Sequence, residues 1–242
     1  MKKTLCLLVG MLLALPTMAQ SDDGEDFAPI AKEKKNAFFL GPKVGAVFTT
    51  MSQPDEGKVY DKNGIGLSGG LALKARFGKA TENSKGGTGL FGVGLEMLYK
   101  QNTVKTIGTD EKGKENASLT INYFEVPIYM QLFPLAKSNA MNSLYVELGV
   151  SVAGSLGVSP KTLTVNNPSE SISKAVYHFD SDGSKLQGLD VRPIVGLGYT
   201  IPKSGFNINA RYYVGTSKLA ENFTSKMNSF EVSVSWLFRL GK

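Results

Sequence analysis

Residues 120–133 read Thr-Ile-Asn-Tyr-Phe-Glu-Val-Pro-Ile-Tyr-Met-Gln-Leu-Phe, and the order of side chains within them decides the fold. Phe124, Val126, Ile128, Met130 and Leu132 occupy every second position, with Tyr123, Glu125, Tyr129 and Gln131 between them. A repeat of two is that of a β-strand, whose successive side chains leave opposite faces of the chain. One face here is apolar and the other is polar, with a carboxylate in its middle.

The same alternation runs through the rest of the body. Phe91, Val93, Leu95, Met97 and Tyr99 oppose Gly92, Gly94, Glu96 and Lys100. Leu144, Val146, Leu148, Val150 and Val152 oppose Tyr145, Glu147, Ser151 and Ser155. Near the end, Phe230, Val232, Val234, Trp236 and Phe238 oppose Glu231, Ser233 and Ser235. Four weaker segments place Lys43, Lys74 with Arg76, Asp190 with Arg192, and Arg211 opposite apolar rows. Eight strands are therefore expected, at about 37–48, 64–78, 88–101, 117–133, 142–157, 186–201, 206–216 and 228–239.

A soluble sandwich or barrel turns such apolar faces inward. An outer-membrane barrel turns them to lipid and lines its lumen with the polar faces. Two features select the membrane barrel. Aromatic residues gather near strand ends (Phe38, Phe48, Phe77, Tyr99, Phe133, Tyr199, Phe206, Phe238), where interfacial girdles lie. The polar faces hold Lys43, Lys74, Arg76, Arg192 and Arg211 against Glu96, Glu125, Glu147, Asp190 and Glu231, five of each sign. A solvated surface has no need of such balance. The lumen of an eight-stranded barrel is only wide enough to be filled by side chains, so charges there must pair to offset desolvation. The expected fold class is all-β, an eight-stranded antiparallel transmembrane up-and-down barrel of the outer membrane, with those ten residues as a charge network in its lumen.

The connections alternate in length. Those at 49–63, 102–116, 158–185 and 217–227 are long, and those at 79–87, 134–141 and 202–205 are shorter, as for extracellular loops and periplasmic turns. Within the longest, Leu163, Val165, Ala175, Val176 and Tyr177 point to a short hairpin above the membrane around Asn167-Pro168. A connection of that length exceeds what joining two neighbouring strands requires, which marks it as a candidate partner-binding surface.

Residues 1–19 carry the marks of a secretory signal: Lys2 and Lys3, an apolar run from Leu5 to Leu15, then small residues at Thr17 and Ala19. Residues 20–36 form a polar periplasmic leader without periodicity, and 37–242 form the barrel. The single cysteine, Cys6, excludes a disulfide scaffold, and the single histidine, His178, excludes a multi-histidine metal site. Without Lys2 and Lys3, 25 of the 27 basic residues remain against 21 acidic ones, with no basic stripe, so nucleic acid is not an expected partner.

Several motifs have simpler explanations than chemistry. Gly64-Ile65-Gly66-Leu67-Ser68-Gly69 matches a dinucleotide pattern but opens a strand, and no helix follows to hold a pyrophosphate. Small lumen residues account for it. Tyr177-His178-Phe179-Asp180-Ser181-Asp182 gathers an imidazole, a hydroxyl and carboxylates in one loop, whereas a catalytic triad needs groups converging from fixed positions. Asp180-Ser181-Asp182-Gly183 lacks the closing Glu of a calcium loop. No catalytic residue, cofactor or metal is expected. Pro127 falls in mid-strand on the lumen face, where its missing N–H removes a ladder bond, and a bulge beside Glu125 is expected there.

The segment Tyr123-Phe124-Glu125-Val126-Pro127-Ile128-Tyr129 resembles the Tyr-Leu-Glu-(Ile/Val)-Pro-Leu element of the PorT-like outer-membrane barrel proteins of Bacteroidota. Gly41-Pro42-Lys43-Val44-Gly45 and the Gly-rich segments at 92–95 and 196–199 are similar as well, so the resemblance covers about 37–239. It implies a small eight-stranded barrel of the outer membrane of a Gram-negative cell.

Three functions suit such a chain. One is an envelope anchor or interaction protein for secretion or adhesion, with outer-membrane lipid around it, an envelope protein as partner, and a monomeric barrel. A second is a small porin of limited ion conductance, and a third is a lipid-directed barrel enzyme using His178. The balanced lumen charges favour the first.

Overall fold

The structure, a computed structural model, describes residues 36–51, 61–77, 89–106, 111–113, 117–136, 141–166, 174–178, 188–201, 204–219 and 225–240. Its strands are β1 (Asn36–Met51), β2 (Asp61–Phe77), β3 (Phe91–Thr106), β4 (Ser118–Leu132), β5 (Leu144–Ser159), β6 (Thr162–Asn166), β7 (Lys174–His178), β8 (Leu189–Thr200), β9 (Phe206–Tyr213), β10 (Met227–Trp236) and β11 (Phe238–Leu240). The wall runs β10-β9-β8-β5-β4-β3-β2-β1, and β10 pairs back onto β1, so the sheet closes. All pairings are antiparallel. β11 continues the line of β10 beyond Leu237 and also pairs with β1, which leaves eight strand positions around the barrel. β6 and β7 form a separate hairpin that links β5 to β8.

Closure removes every free edge, and the pleat then sorts side chains by solvent. The outward row of β1 is Phe38, Leu40, Pro42, Val44, Ala46 and Phe48. Its ten residue steps cover about 33 Å of strand, or about 25 Å along the membrane normal at a tilt of about 40°, which is the height of a lipid-facing band. Aromatics mark both rims of that band. Phe77, Phe91, Phe206, Trp236 and Phe238 lie at the periplasmic rim, and Phe48, Tyr99, Phe124, Tyr212 and Phe230 at the other. Phe206 stacks on Trp236 at 5.6 Å, and Trp236 meets Phe238 at 4.9 Å. Phe133 is not part of a girdle. It is buried at the foot of the lumen, because the chain turns inward after Leu132 and its backbone N–H donates to the Leu90 carbonyl at 2.9 Å.

Strands β1 to β5 have 15 to 17 residues, more than the 9–11 that cross hydrocarbon. The excess lies beyond the extracellular rim, and there the polarity inverts. Gln101, Thr103 and Lys105 of β3 face outward in register with Asn122, Thr120 and Ser118 of β4. Val104, Leu119 and Ile121 point inward and are fully buried. This extension corrects the strand limits read from sequence. β1 runs past 48 to Met51, β2 starts at Asp61 and not at 64, and β3 runs past 101 to Thr106. The expected contrast between long and short connections weakens accordingly, since 52–60 is no longer than 78–90.

Pro127 lies on the inward face but carries no bulge. The β3–β4 ladder skips Glu96 and Met97 opposite Val126 and Pro127 and resumes in the same register, and the β4–β5 register passes through Pro127 unbroken. One missing donor costs one bond and needs no extra residue. The register shift in β4–β5 falls instead at Asn122/Tyr123, where Leu156 is the extra residue of β5. A second shift falls in β2 between Asn63 and Ser68. That explains the glycine motif: a Cβ on Gly64 or Gly66 would run into the carbonyl oxygens of Thr103 or Gln101.

Candidate functional site in the barrel lumen

All ten charged residues expected in the lumen are buried inside the barrel. They come from all eight wall strands, and the inward period of each strand stacks them in layers. At the periplasmic foot, Arg76 lies 3.7 Å from the Phe133 ring centre. Its Nε donates to the Gly89 carbonyl at 3.0 Å and its NH2 to the Asn142 carbonyl at 2.8 Å. Arg76 therefore ties the chain ahead of β3 to the chain ahead of β5, and it does not join the carboxylates. Just above, the Lys74 ammonium donates to Tyr145 Oη and to Asn207 Oδ1, both at 3.1 Å, and Tyr145 Oη donates to the same Asn207 oxygen at 2.9 Å.

Arg211 occupies the centre. NH1 and NH2 donate to the two oxygens of Glu96 at 2.9 and 3.1 Å. Nε and NH2 donate to Glu147 Oε2 at 3.0 and 2.7 Å, and the guanidinium lies 4.4 Å from the Tyr129 ring centre. Glu96 also accepts from Lys43 at 2.7 Å and from Tyr129 Oη at 2.7 Å. Glu147 accepts from Gln131 and Asn209, each at 3.0 Å. Lys43 bridges to Glu231 at 2.9 Å, whose other oxygen accepts from Tyr213 Oη at 3.1 Å. Each buried carboxylate thus meets more than one donor, the condition under which burying charge is tolerable.

Space for this network comes from glycines. Tyr129 crosses Gly94 on the neighbouring strand and Tyr145 crosses Gly198, so a Cβ at either glycine would sit inside the tyrosine ring.

The next level holds Lys100, Glu125, Asp190 and Arg192. Lys100 is fully buried, 3.3 Å from Glu125 and 3.5 Å from Glu231, over the Tyr213 ring. The sequence placed Lys100 on the polar face of its strand, but the five-against-five set left it out and included Arg76. In the folded lumen Lys100 takes the place of Arg76 among the carboxylates. Ser151 Oγ donates to Glu125 at 2.7 Å, and Arg192 Nε donates to Asp190 Oδ2 at 2.6 Å above the Tyr123 ring.

A part of the lumen that the charge pattern did not reveal closes the extracellular end. Met51, Val104, Ala117, Leu119, Ile121, Tyr123, Ala153, Leu219 and Met227 form one buried apolar cluster, with Val158 packed against it. Leu219 reaches it from the connection after β9, whose chain is held by a bond from the Leu219 N–H to the Ser225 carbonyl at 3.0 Å. The available signal was Leu119 and Ile121 continuing the inward row of Tyr123 as apolar residues. His178 closes β7 opposite Thr162, and its side chain lies outside the described residues, as do Asn167, Pro168, Phe179, Asp180, Ser181 and Asp182. Among the described residues no group of His, Cys, Asp and Glu is arranged to hold a metal.

A closed eight-stranded wall with a lipid-facing apolar band and a filled polar interior defines an outer-membrane barrel. The chain belongs to the outer membrane protein beta-barrel domain family, whose model matches residues 18–221, and it is a protein of the outer membrane. No curated protein matches it significantly. Similar solved structures include Ail, the attachment invasion locus protein of Yersinia pestis, at 15% identity over 83% of this chain and 99% of that one, with a TM-score of 0.41. Neisserial surface protein A is similar at 10% identity over 83% and 97%, with a TM-score of 0.42. OprG of Pseudomonas aeruginosa is similar at 14% identity over 85% and 97%, with a TM-score of 0.38.

Proposed function

We propose that this barrel is a sealed anchor that presents its extracellular β-structure to an envelope partner and passes no solute. The observation that carries the reading is the lumen, filled by ion pairs through its middle and by an apolar cluster at its outer end. A porin needs a hydrated path from end to end, and neither filling offers one. Wall strands that continue beyond the lipid band, together with the β6–β7 hairpin, supply a surface that membrane insertion does not require. The Glu125-Val126-Pro127 element supports a PorT-like subgroup, and residues 1–19 and 20–36 serve as export signal and periplasmic leader. His178 has no catalytic role in this reading.

Two measurements test it together. Purified protein in planar bilayers should give no steady conductance; large, stable single-channel currents would establish the porin reading instead. In cells, cross-linking should capture an envelope protein with the full chain and lose it when 160–187 is replaced by a tight turn, while the shortened barrel still inserts. Capture that persists without the hairpin would transfer the role to the leader, and no capture by either form would remove the anchor reading.

A further inference from the structure

Inward-facing rows in the extracellular half share a polar middle residue and an apolar outer residue on three strands. On β3 the order is Lys100, Asn102, Val104; on β10 it is Glu231, Ser229, Met227; on β1 it is Val47, Thr49, Met51. The outermost residue of each row belongs to the apolar cap, and Lys100 and Glu231 belong to the ion-paired belt. The middle residue of each row is polar and buried, and Thr49 and Ser229 are direct cross-strand partners. Asn102 Oδ1, Asn102 Nδ2, Thr49 Oγ1 and Ser229 Oγ have no hydrogen-bond partner among the described residues. Two guanidinium nitrogens of Arg192, on β8, also make no hydrogen bond among the described residues, though one of them lies 3.9 Å from Glu125. Nearer the periplasm Ser68 Oγ, Ser233 Oγ and Asn209 Oδ1 also lack hydrogen bonds among the described residues, but each is a single atom beside a dense network in which Lys74, Tyr145, Asn207, Gln131 and Glu147 are hydrogen-bonded to one another or to neighbours.

Buried polar groups in native interiors find partners, and where side chains do not supply them, ordered water does. Several such groups at one level of one lumen form a site. Its mixture of donors and acceptors decides the occupant. The Asn102 amide and the two hydroxyls both donate and accept, while the guanidinium only donates, and water satisfies all of them. An added anion would unbalance a belt in which Lys43, Lys74, Lys100, Arg192 and Arg211 already match five carboxylates. We propose that this level is a buried hydration layer, with waters held by Thr49, Asn102, Ser229 and Arg192 between the ion-paired belt and the apolar cap. The lumen then has two seals in series: the belt separates the layer from the periplasm, and Leu219 with its neighbours separates it from the outside. The layer does not depend on any partner at the loops.

Two experiments decide it. In the unaltered protein in lipid nanodiscs, the side-chain amide protons of Asn102 should show nuclear Overhauser contacts to slowly exchanging water. Contacts to aliphatic protons alone would overturn the proposal. The second uses silver ion, a thiol probe little larger than water, added outside vesicles that carry Ser229→Cys in a Cys6→Ser background. The thiol should be protected under the intact cap and should react about a hundredfold faster once Leu219→Ser opens it. Ser235→Cys, beside Asn207 on the periplasmic side of the belt, should stay unreactive in the same Leu219→Ser background, which should still pass no steady current. Equal rates at Ser229→Cys with and without the cap, or equal rates at the two cysteines, would overturn it. Heat-dependent mobility checks the fold of each variant, and the resonance measurement on the native chain decides the matter if the Leu219→Ser barrel does not fold.

Discussion

Arg211 is fully buried and bridges two carboxylates at once, Glu96 and Glu147. Arg211→Met should therefore destabilise the barrel by about 3–5 kcal/mol, because it strands buried negative charge. Arg76→Met, which gives up two bonds to backbone carbonyls and a ring contact, should cost less, about 1–3 kcal/mol. Urea unfolding of both variants in vesicles measures the order, and equal losses would contradict the separation of Arg76 from the network. At the glycines the argument is steric. Gly198→Val drives a side chain into the Tyr145 ring and should lower the temperature of the heat-dependent mobility shift, whereas valine at the exposed Gly188, which has open space, should not. The signs of the lumen charges were legible in the sequence, since each sits on the polar face of a period-two segment. Which cation meets which carboxylate was not legible. That depends on height in the lumen, and Arg76 lies one residue from the end of its strand while Lys100 lies mid-strand.

Pro127 shows how an element absorbs a defect. The ladder to β3 is interrupted and the ladder to β5 is not, so the missing donor is on the β3 side. Pro127→Ala should keep the register and insertion and leave stability equal or slightly higher, by about 1 kcal/mol at most. A drop of several kcal/mol in the same urea titration would mean that the ring itself packs the lumen. The strand extensions make the opposite point about legibility. In the lipid band apolar residues face outward, and beyond the rim Leu119, Ile121 and Val104 face inward behind an outer row of Thr, Asn, Gln and Lys. The alternation persists with its sign reversed, so a reading that follows one apolar face sees the strand end and a loop begin. Ile121→Asp should disrupt the extension and the cap yet leave the spanning wall intact. Amide hydrogen exchange would then speed up at 102–106 and 118–122 and stay slow at 91–98.

As a whole, the molecule is built for two solvents, with a membrane barrel below and an inside-apolar rim above. Extracted from outer membranes, it should be strand-rich and change mobility on boiling in detergent. A helical spectrum or recovery in the soluble fraction would contradict the wall described here. The reversed polarity also fixes how the barrel floats. Immediately above Tyr99 and Phe124 the outer surface becomes Gln101 and Asn122, then Thr103 and Thr120, then Lys105 and Ser118, a polar row that hydrocarbon does not solvate. At the periplasmic rim the aromatic band of Phe77, Phe91, Phe206, Trp236 and Phe238 tolerates either side of the boundary. A thicker or thinner bilayer must therefore be accommodated from below, with the outer waterline of the protein staying where those polar pairs begin.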